Sequence, residues 1–448
     1  MESKRLKKIP EKVTIPLKQH QGTICEALVK KGDQVLIGQK IGKSTSYYSS
    51  DVHSSVCGEV LAIEEAPHPN GNKVLSVIIE PTDSMETVDF VSSEHASPEE
   101  LITLIQEAGI VEHYGAPTHA VLKPEGKNID TVLINSTSSE WIGGKYKTPK
   151  EYADQMIDAL KLLMKAAGAS KGAIIVRKDD KESIEAFEGV EVNGKALKVA
   201  PLVGKRRLGH YFKDQDSNIL VASQERIYGK KILNFFTYNV TGRKVKIGND
   251  PTDVGVAVCG VKSAKALYDA VHEGRPYYET VITIEGKIDC PEYMLVRIGT
   301  PFKDIIESCN FEGEIGKIVA NGVITGVAQY TDEVPVTKGT TRISLLTEEE
   351  VLRDEAIACI HCARCVDACP VSLVPSRLTV LADQGRFDEA RQMHIENCIE
   401  CGRCAVVCPS KIPTLQLIRY ANDAIGKAYE DAAPKESSNL KLGCCGGE

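Results

Sequence analysis

Eight of the fifteen cysteines in this chain fall into two runs with one spacing. They read Cys359-x-x-Cys362-x-x-Cys365-x-x-x-Cys369-Pro370 and Cys398-x-x-Cys401-x-x-Cys404-x-x-x-Cys408-Pro409. Thiolates two residues apart can wrap a tight loop around an iron–sulfur cubane. A fourth thiolate three residues further on points away and ligates a neighbouring cubane. The spacing therefore predicts two [4Fe–4S] clusters with crossed ligands. Cys359, Cys362, Cys365 and Cys408 would hold the first, and Cys398, Cys401, Cys404 and Cys369 the second. Each proline lacks a donor N–H and keeps the chain from continuing as helix straight after the crossing ligand. A zinc knuckle would use two pairs of ligands and leave thiols idle. A disulfide framework is disfavoured in a reducing compartment.

The segment 370–397 between the runs must hold them in register. Leu378, Leu381 and Ala382 have helical spacing, as do Phe387, Ala390 and Arg391, so two short helices split at Gly385 are expected. The cluster-bearing module is thus a helical ferredoxin. His361 lies inside the first ligand loop, either as a group that tunes a cluster or as a solvated side chain. Five other cysteines, Cys25, Cys57, Cys259, Cys290 and Cys309, are scattered, and Cys444-Cys445 stand near the end. The vicinal pair reads as exposed thiols on a flexible tail.

The remainder of the 448 residues must supply scaffold and partners. Apolar residues make up 42% and charged residues 26%, the composition of a folded protein of several domains. The net charge of −8 disfavours a global nucleic-acid-binding role, which needs a basic face. No apolar run is long enough for a membrane span. The opening MESKRLKKIP has no apolar signal core, so folding in the cytoplasm is expected.

Residues 13–80 show short alternating runs broken by Gly-Asp turns, a pattern of small β-sandwiches. From 97 the period changes. Ser97-Pro98-Glu99-Glu100 opens a helix with an N-cap serine, and Thr148-x-x-Glu151 is a capping box that begins another over 148–167. Strands are expected at Thr131–Ile134, Ala173–Val176, Leu197–Val203 and Val254–Cys259, with a helix over Ser263–His272. This alternation argues for a doubly wound parallel sheet. From 279 to 346 strand runs at Val281–Gly286 and Tyr293–Gly299, with a short helix over Phe302–Cys309, form a smaller β-rich module.

That order of modules resembles the C subunit of Rnf-type ion-translocating electron-transport complexes, a family related to the flavin-bearing subunit of respiratory complex I. The phrases that carry the resemblance are Pro251-Thr252-Asp253-Val254-Gly255-Val256, Ile298-Gly299-Thr300-Pro301, Val334-Pro335-Val336-Thr337-Lys338-Gly339-Thr340 and Cys408-Pro409-Ser410-Lys411-Ile412-Pro413. The resemblance implies a multidomain α/β plus β chain: a barrel-sandwich domain over 1–92, a Rossmann-like doubly wound domain over 93–278, a soluble-ligand-binding β-grasp domain over 279–349, a helical double-cluster ferredoxin over 350–425 and a flexible tail over 426–448. In lipoyl-type relatives of the first domain a lysine at a hairpin tip carries a swinging arm. Here Tyr47 or Tyr48 falls at that tip and Lys43 lies too early, so no carrier function is expected.

Most members of this family bind FMN and accept hydride from NADH through a loop that reads approximately G-I-V-G-x-G-G-A-x-F-P-T-H. Here the loop reads Gly109-Ile110-Val111-Glu112-His113-Tyr114-Gly115-Ala116-Pro117-Thr118-His119. Two glycines have become Glu112 and Tyr114. A second family motif, approximately N-G-A-E-C-E-P-Y, has become Asn135-Ser136-Thr137-Ser138-Ser139-Glu140-Trp141-Ile142, with Ser138 for the first carboxylate. A tyrosine blocks the close approach of backbone to phosphate and a carboxylate repels it. The expectation is loss of FMN and NADH binding, with no catalytic acid, base or nucleophile. The chain would be an electron-relay subunit at the cytoplasmic face of a membrane complex that couples electron flow to Na⁺ or H⁺ translocation. Its partners would be integral membrane subunits and a ferredoxin-like subunit, with ferredoxin as donor. The rivals are an NADH-binding FMN subunit and a soluble electron-transfer protein serving a cytoplasmic reductase.

Overall fold

A computed structural model describes residues 4–6, 9–90, 95–137, 149–192, 194–204, 206–215, 217–225, 232–246, 248–288, 293–351 and 355–432. They form two compact units, the second of which contains both cysteine runs.

The first unit begins as two small antiparallel sheets. Val13–Pro16, Lys73–Pro81, Gly58–Pro67 and Gln34–Val35 make one, and Glu26–Ala27, Lys40–Lys43 and Val52–His53 make the other. Every second residue of Val13-Thr14-Ile15-Pro16-Leu17 points inward, and Val13, Ile15 and Leu17 pack on Ile41, Val52, Val60 and Ile79. Tyr47 and Tyr48 form the turn between Lys40–Lys43 and Val52–His53, as the spacing from Gly58 predicts.

Next comes a five-stranded parallel sheet. Its strands are β1 (Thr131–Ser136), β2 (Lys171–Arg177), β3 (Val199–Pro201), β4 (Ile219–Gln224) and β5 (Val256–Gly260), in the order β3-β4-β2-β1-β5. Helices cover both faces, so the strands read as continuous apolar runs such as Ile174-Ile175-Val176. The helices that matter below are α1 (Pro98–Glu107), α2 (Pro149–Ala167) and α3 (Val261–His272). Ser97 caps α1 in a full capping box with Glu100. Thr148 lies outside the described residues.

Two expectations for this region are corrected by the fold. The strand expected at Leu197–Val203 shrinks to Val199–Pro201. The chain also makes a strand at Ile219–Gln224 that the sequence pattern did not place. A short apolar run carries no periodicity of its own, and only its neighbours β2 and β3 fix it as a strand.

A six-stranded sheet completes the unit. It joins Lys4–Arg5, Tyr293–Arg297, Glu279–Glu285, Arg342–Thr347, Ile315–Ala320 and Val327–Ala328 in that order. Phe302 and Ile305, from the helix Phe302–Glu307, fill its core. The start of the chain thus pairs with a strand nearly three hundred residues away, Lys4 opposite Met294.

Lys338 fastens these parts together. Only 2% exposed, its Nζ donates to the carbonyls of Asp51 at 2.8 Å and Gly109 at 2.7 Å. Its backbone N–H donates to Gln19 Oε1 at 3.0 Å. Gly109 has φ +71°, and a Cβ there would stand 2.3 Å from the Asp51 carbonyl oxygen, so no other residue fits.

In the second unit, α4 (Pro375–Asp383) and α5 (Phe387–Gln392) are split at Gly385, whose φ is +67°. They pack through Leu378, Leu381, Ala382 and Ala390 onto Ile418 and Ala421 of α6 (Thr414–Ala432). This is the pair of short helices the spacing predicts. No helix among the described residues is long and apolar enough to cross a membrane.

Candidate iron–sulfur centres and the sheet crevice

The two cysteine runs fold as near copies of one another. Each turns through left-handed backbone at equivalent places: His361 and Glu400 at φ +54°, Ala363 and Gly402 at +60° and +72°, Ser372 and Lys411 at +56° and +52°. Left-handed conformations at five non-glycine residues each cost on the order of 1–3 kcal/mol and persist only where surroundings over-determine them. One-turn helices, Arg364–Asp367 and Arg403–Val406, then carry the third cysteine of each run, of which Cys404 is buried.

The structure brings the cysteines together across the runs. Cys359, Cys362 and Cys365 line one cavity with Cys408, beside Ser376, Thr379 and Val380 of α4. On the other side, Cys404 is buried. Burial above all pushes its thiol up to about 12, and the neighbouring thiols of Cys398, Cys401 and Cys369 act in the same direction. Cys369 also accepts a hydrogen bond at Sγ from the Leu373 N–H at 3.3 Å. Thus the fourth cysteine of each run sits with the first three of the other.

Among the described residues, no three Cys, His, Asp or Glu side chains converge as a single metal ion would require. Thiols spread around a cavity with no carboxylate in its lining suit a cluster of several irons and fit the group the spacing implies. Of the scattered cysteines, Cys25, Cys57 and Cys259 are buried free thiols. Cys309, outside the two runs, is disulfide-bonded.

The altered loop 109–119 lies at the carboxyl ends of β1 and β5. Strand order reverses between these two strands, and there a doubly wound sheet opens its ligand crevice. Glu112 is fully buried in it. Its carboxylate accepts hydrogen bonds from the Gly260 N–H at 2.7 Å, Ser263 Oγ at 2.9 Å and Thr118 Oγ1 at 2.9 Å. Gly260 is the N-cap of α3, so the side chain occupies the place where a helix N-terminus receives an anion. Tyr114 lies beside it, its hydroxyl donating to the Val258 carbonyl at 3.3 Å. By sequence alone Glu112 is a charge that repels a phosphate, whereas the fold uses its oxygens as acceptors for the groups at this helix N-terminus. Residues 138–142 of the second motif lie outside the described residues.

Burial raises the Glu112 carboxyl from 4.5 to about 7, against the opposing pull of its hydrogen bonds from Gly260, Ser263 and Thr118. Below about pH 4.5 the carboxyl is protonated folded and unfolded, and its contribution is whole. Between 4.5 and about 7 only the unfolded chain ionises, so stability falls as pH rises, by roughly 3 kcal/mol once pH exceeds 7. We expect E112Q to flatten this dependence, read as the difference in thermal midpoint between pH 5 and pH 8. Equal pH slopes in the two proteins would show that Glu112 does not titrate in this range.

Sequence reasoning also missed Lys338, Glu400 and Arg419. Glu400 had a signal, since Cys-Ile-His361-Cys and Cys-Ile-Glu400-Cys invite comparison. Arg419 had none, because only packing brings α6 against the second loop.

Three family models match the chain: the RnfC barrel sandwich hybrid domain over residues 3–84, the Nuo51 FMN-binding domain over 105–269 and the 4Fe-4S dicluster domain over 351–431. The chain is 49% identical to the C subunit of the ion-translocating oxidoreductase complex of Methanosarcina acetivorans, covering 93% of each. It is 34% identical to the C subunit of the Na⁺-translocating ferredoxin:NAD⁺ oxidoreductase complex of Acetobacterium woodii, over 85% of this chain and 84% of the relative. It is 33% identical to the proton-translocating counterpart of Clostridium ljungdahlii, over 86% and 81%. With its 4Fe-4S dicluster domain and near full-length matches, the chain belongs to the family of C subunits of ion-translocating oxidoreductase complexes.

Proposed function

We infer that this chain is the peripheral electron-relay subunit of a membrane-bound Rnf-type complex, docked at the cytoplasmic face and working with integral membrane subunits and a ferredoxin-like subunit. The observation that carries the reading is the crossed grouping of the eight thiols. Cys359, Cys362, Cys365 and Cys408 would hold one [4Fe–4S] cluster, and Cys398, Cys401, Cys404 and Cys369 the other. Such clusters, when bound, accept and return single electrons. The protein's part is to fix eight thiolates, exclude water around Cys404 and donate an N–H to Cys369.

Electrons would enter from reduced ferredoxin, and the complex would couple their passage to Na⁺ or H⁺ movement. The division into 1–92, 93–278, 279–349, 350–425 and 426–448 assigns the first three segments to scaffold. The filled crevice at Glu112 and Tyr114 supports a relay without FMN.

Iron and flavin measured on the purified complex test this together. About eight irons per copy of this chain beyond those of its partners, and no flavin released from it, are expected. The match over 105–269 to an FMN-binding domain favours a second reading, an NADH-oxidising flavin subunit. Stoichiometric FMN on this chain would establish that reading instead.

A further inference from the structure

The two ligand loops share a backbone but differ in charge. His361 and Glu400 hold the same place in each loop with the same φ of +54°. His361 is exposed. Glu400 is 4% exposed, and its Oε2 accepts from Arg419 Nε on α6 at 2.8 Å. A carboxylate–guanidinium pair, with side chains 5% and 17% exposed, therefore ties the second loop, at the residue between Cys398 and Cys401, to α6.

A buried ion pair is poorly explained by stability, since desolvation offsets its attraction. Its field is another matter. Taking up one electron adds a negative charge beside the second loop, which a nearby carboxylate opposes and a guanidinium favours. Out of water these effects are screened far less than at the exposed His361. We propose that Glu400 and Arg419 set the reduction potential of the second-run centre and separate it from the first. Arg419 is a positioning residue that holds the Glu400 charge in place. The step is a one-electron transfer from a low-potential carrier protein, with no bond made or broken.

This inference rests on the eight thiols holding clusters, and iron content separates the two ideas. Wild-type complex whose copy of this chain carries no iron would sink the underlying reading. Intact iron with immobile potentials would sink only this one. The experiment is a redox titration of each centre, followed by EPR, in the complete complex. E400Q should move the second-run midpoint upward and R419Q should move it downward, with the first-run midpoint unchanged in both. Loop loosening would move the two variants the same way, so shifts of equal sign, or none, overturn the proposal. Should R419Q lose its centre, H361E completes the test by placing a carboxylate at the equivalent position of the first loop. It should lower the first-run midpoint, by less than E400Q raises the second, because water screens it. A stationary midpoint in either E400Q or H361E refutes the assignment.

Discussion

Replacing Cys408 with alanine should abolish the EPR signal of the first-run centre and leave that of the second. Iron should fall from about eight to about four per chain. Sequence proximity argues the opposite, because Cys408 follows Cys404 and belongs to the second run. The grouping of the thiols favours the crossed arrangement: Cys408 lines the cavity of Cys359, Cys362 and Cys365, while Cys404 neighbours Cys398, Cys401 and Cys369. Cys369→Ala should give the mirror result. With one carrier gone, a two-station relay is broken, and transfer to the rest of the complex should drop by orders of magnitude. Loss of the second signal alone on changing Cys408 would disprove crossed ligation.

NADH should neither bind this chain at micromolar concentration nor reduce its centres within seconds. A pyrophosphate entering the crevice would seek the Gly260 N–H, which already bonds to Glu112 at 2.7 Å. An ionised carboxylate ~4 Å from one phosphate charge costs about 4 kcal/mol at an effective dielectric near 20, before salt screening. Protonating Glu112 would remove that repulsion, but the side chain would still fill the space. The Tyr114 hydroxyl contact to Val258 lies beside it on the same strand end. Each ~1.4 kcal/mol weakens binding tenfold, so with Glu112 ionised micromolar affinity would become millimolar. Calorimetric titration of the purified complex, with stopped-flow absorbance after NADH is added, checks both statements. Micromolar binding accompanied by bleaching within seconds would restore the dehydrogenase reading.

The parts of this molecule legible in sequence are those fixed by local chemistry. Thiol spacing, the break at Gly385, the Ser97 capping box and the tyrosines at the hairpin tip each depend on a few adjacent residues. Fixed spacing also led to the expected cross-over of Cys369 and Cys408, because a short turn after each third thiol leaves the fourth pointing away. What escaped depends on distant partners. Ile219–Gln224 becomes a strand only between β2 and β3. Glu112 finds Gly260 across 148 residues, and Arg419 reaches Glu400 from another helix. In each case residue type gave the charge or hydrophobicity, and tertiary contact gave it meaning.

Lys338 has a consequence for how the chain is made. The carbonyl of Asp51 precedes its partner ammonium by 287 residues. At about 5–20 residues per second, a ribosome needs roughly 15–60 s to bridge that gap. Throughout that interval the Asp51 and Gly109 carbonyls have no lysine to accept from, and Lys4–Arg5 likewise await Met294 and Leu295. The nascent sandwich and parallel sheet thus leave the ribosome with their shared fastening missing. The first unit closes only when the loop after Val336 emerges, so its completion waits on the segment that carries Lys338.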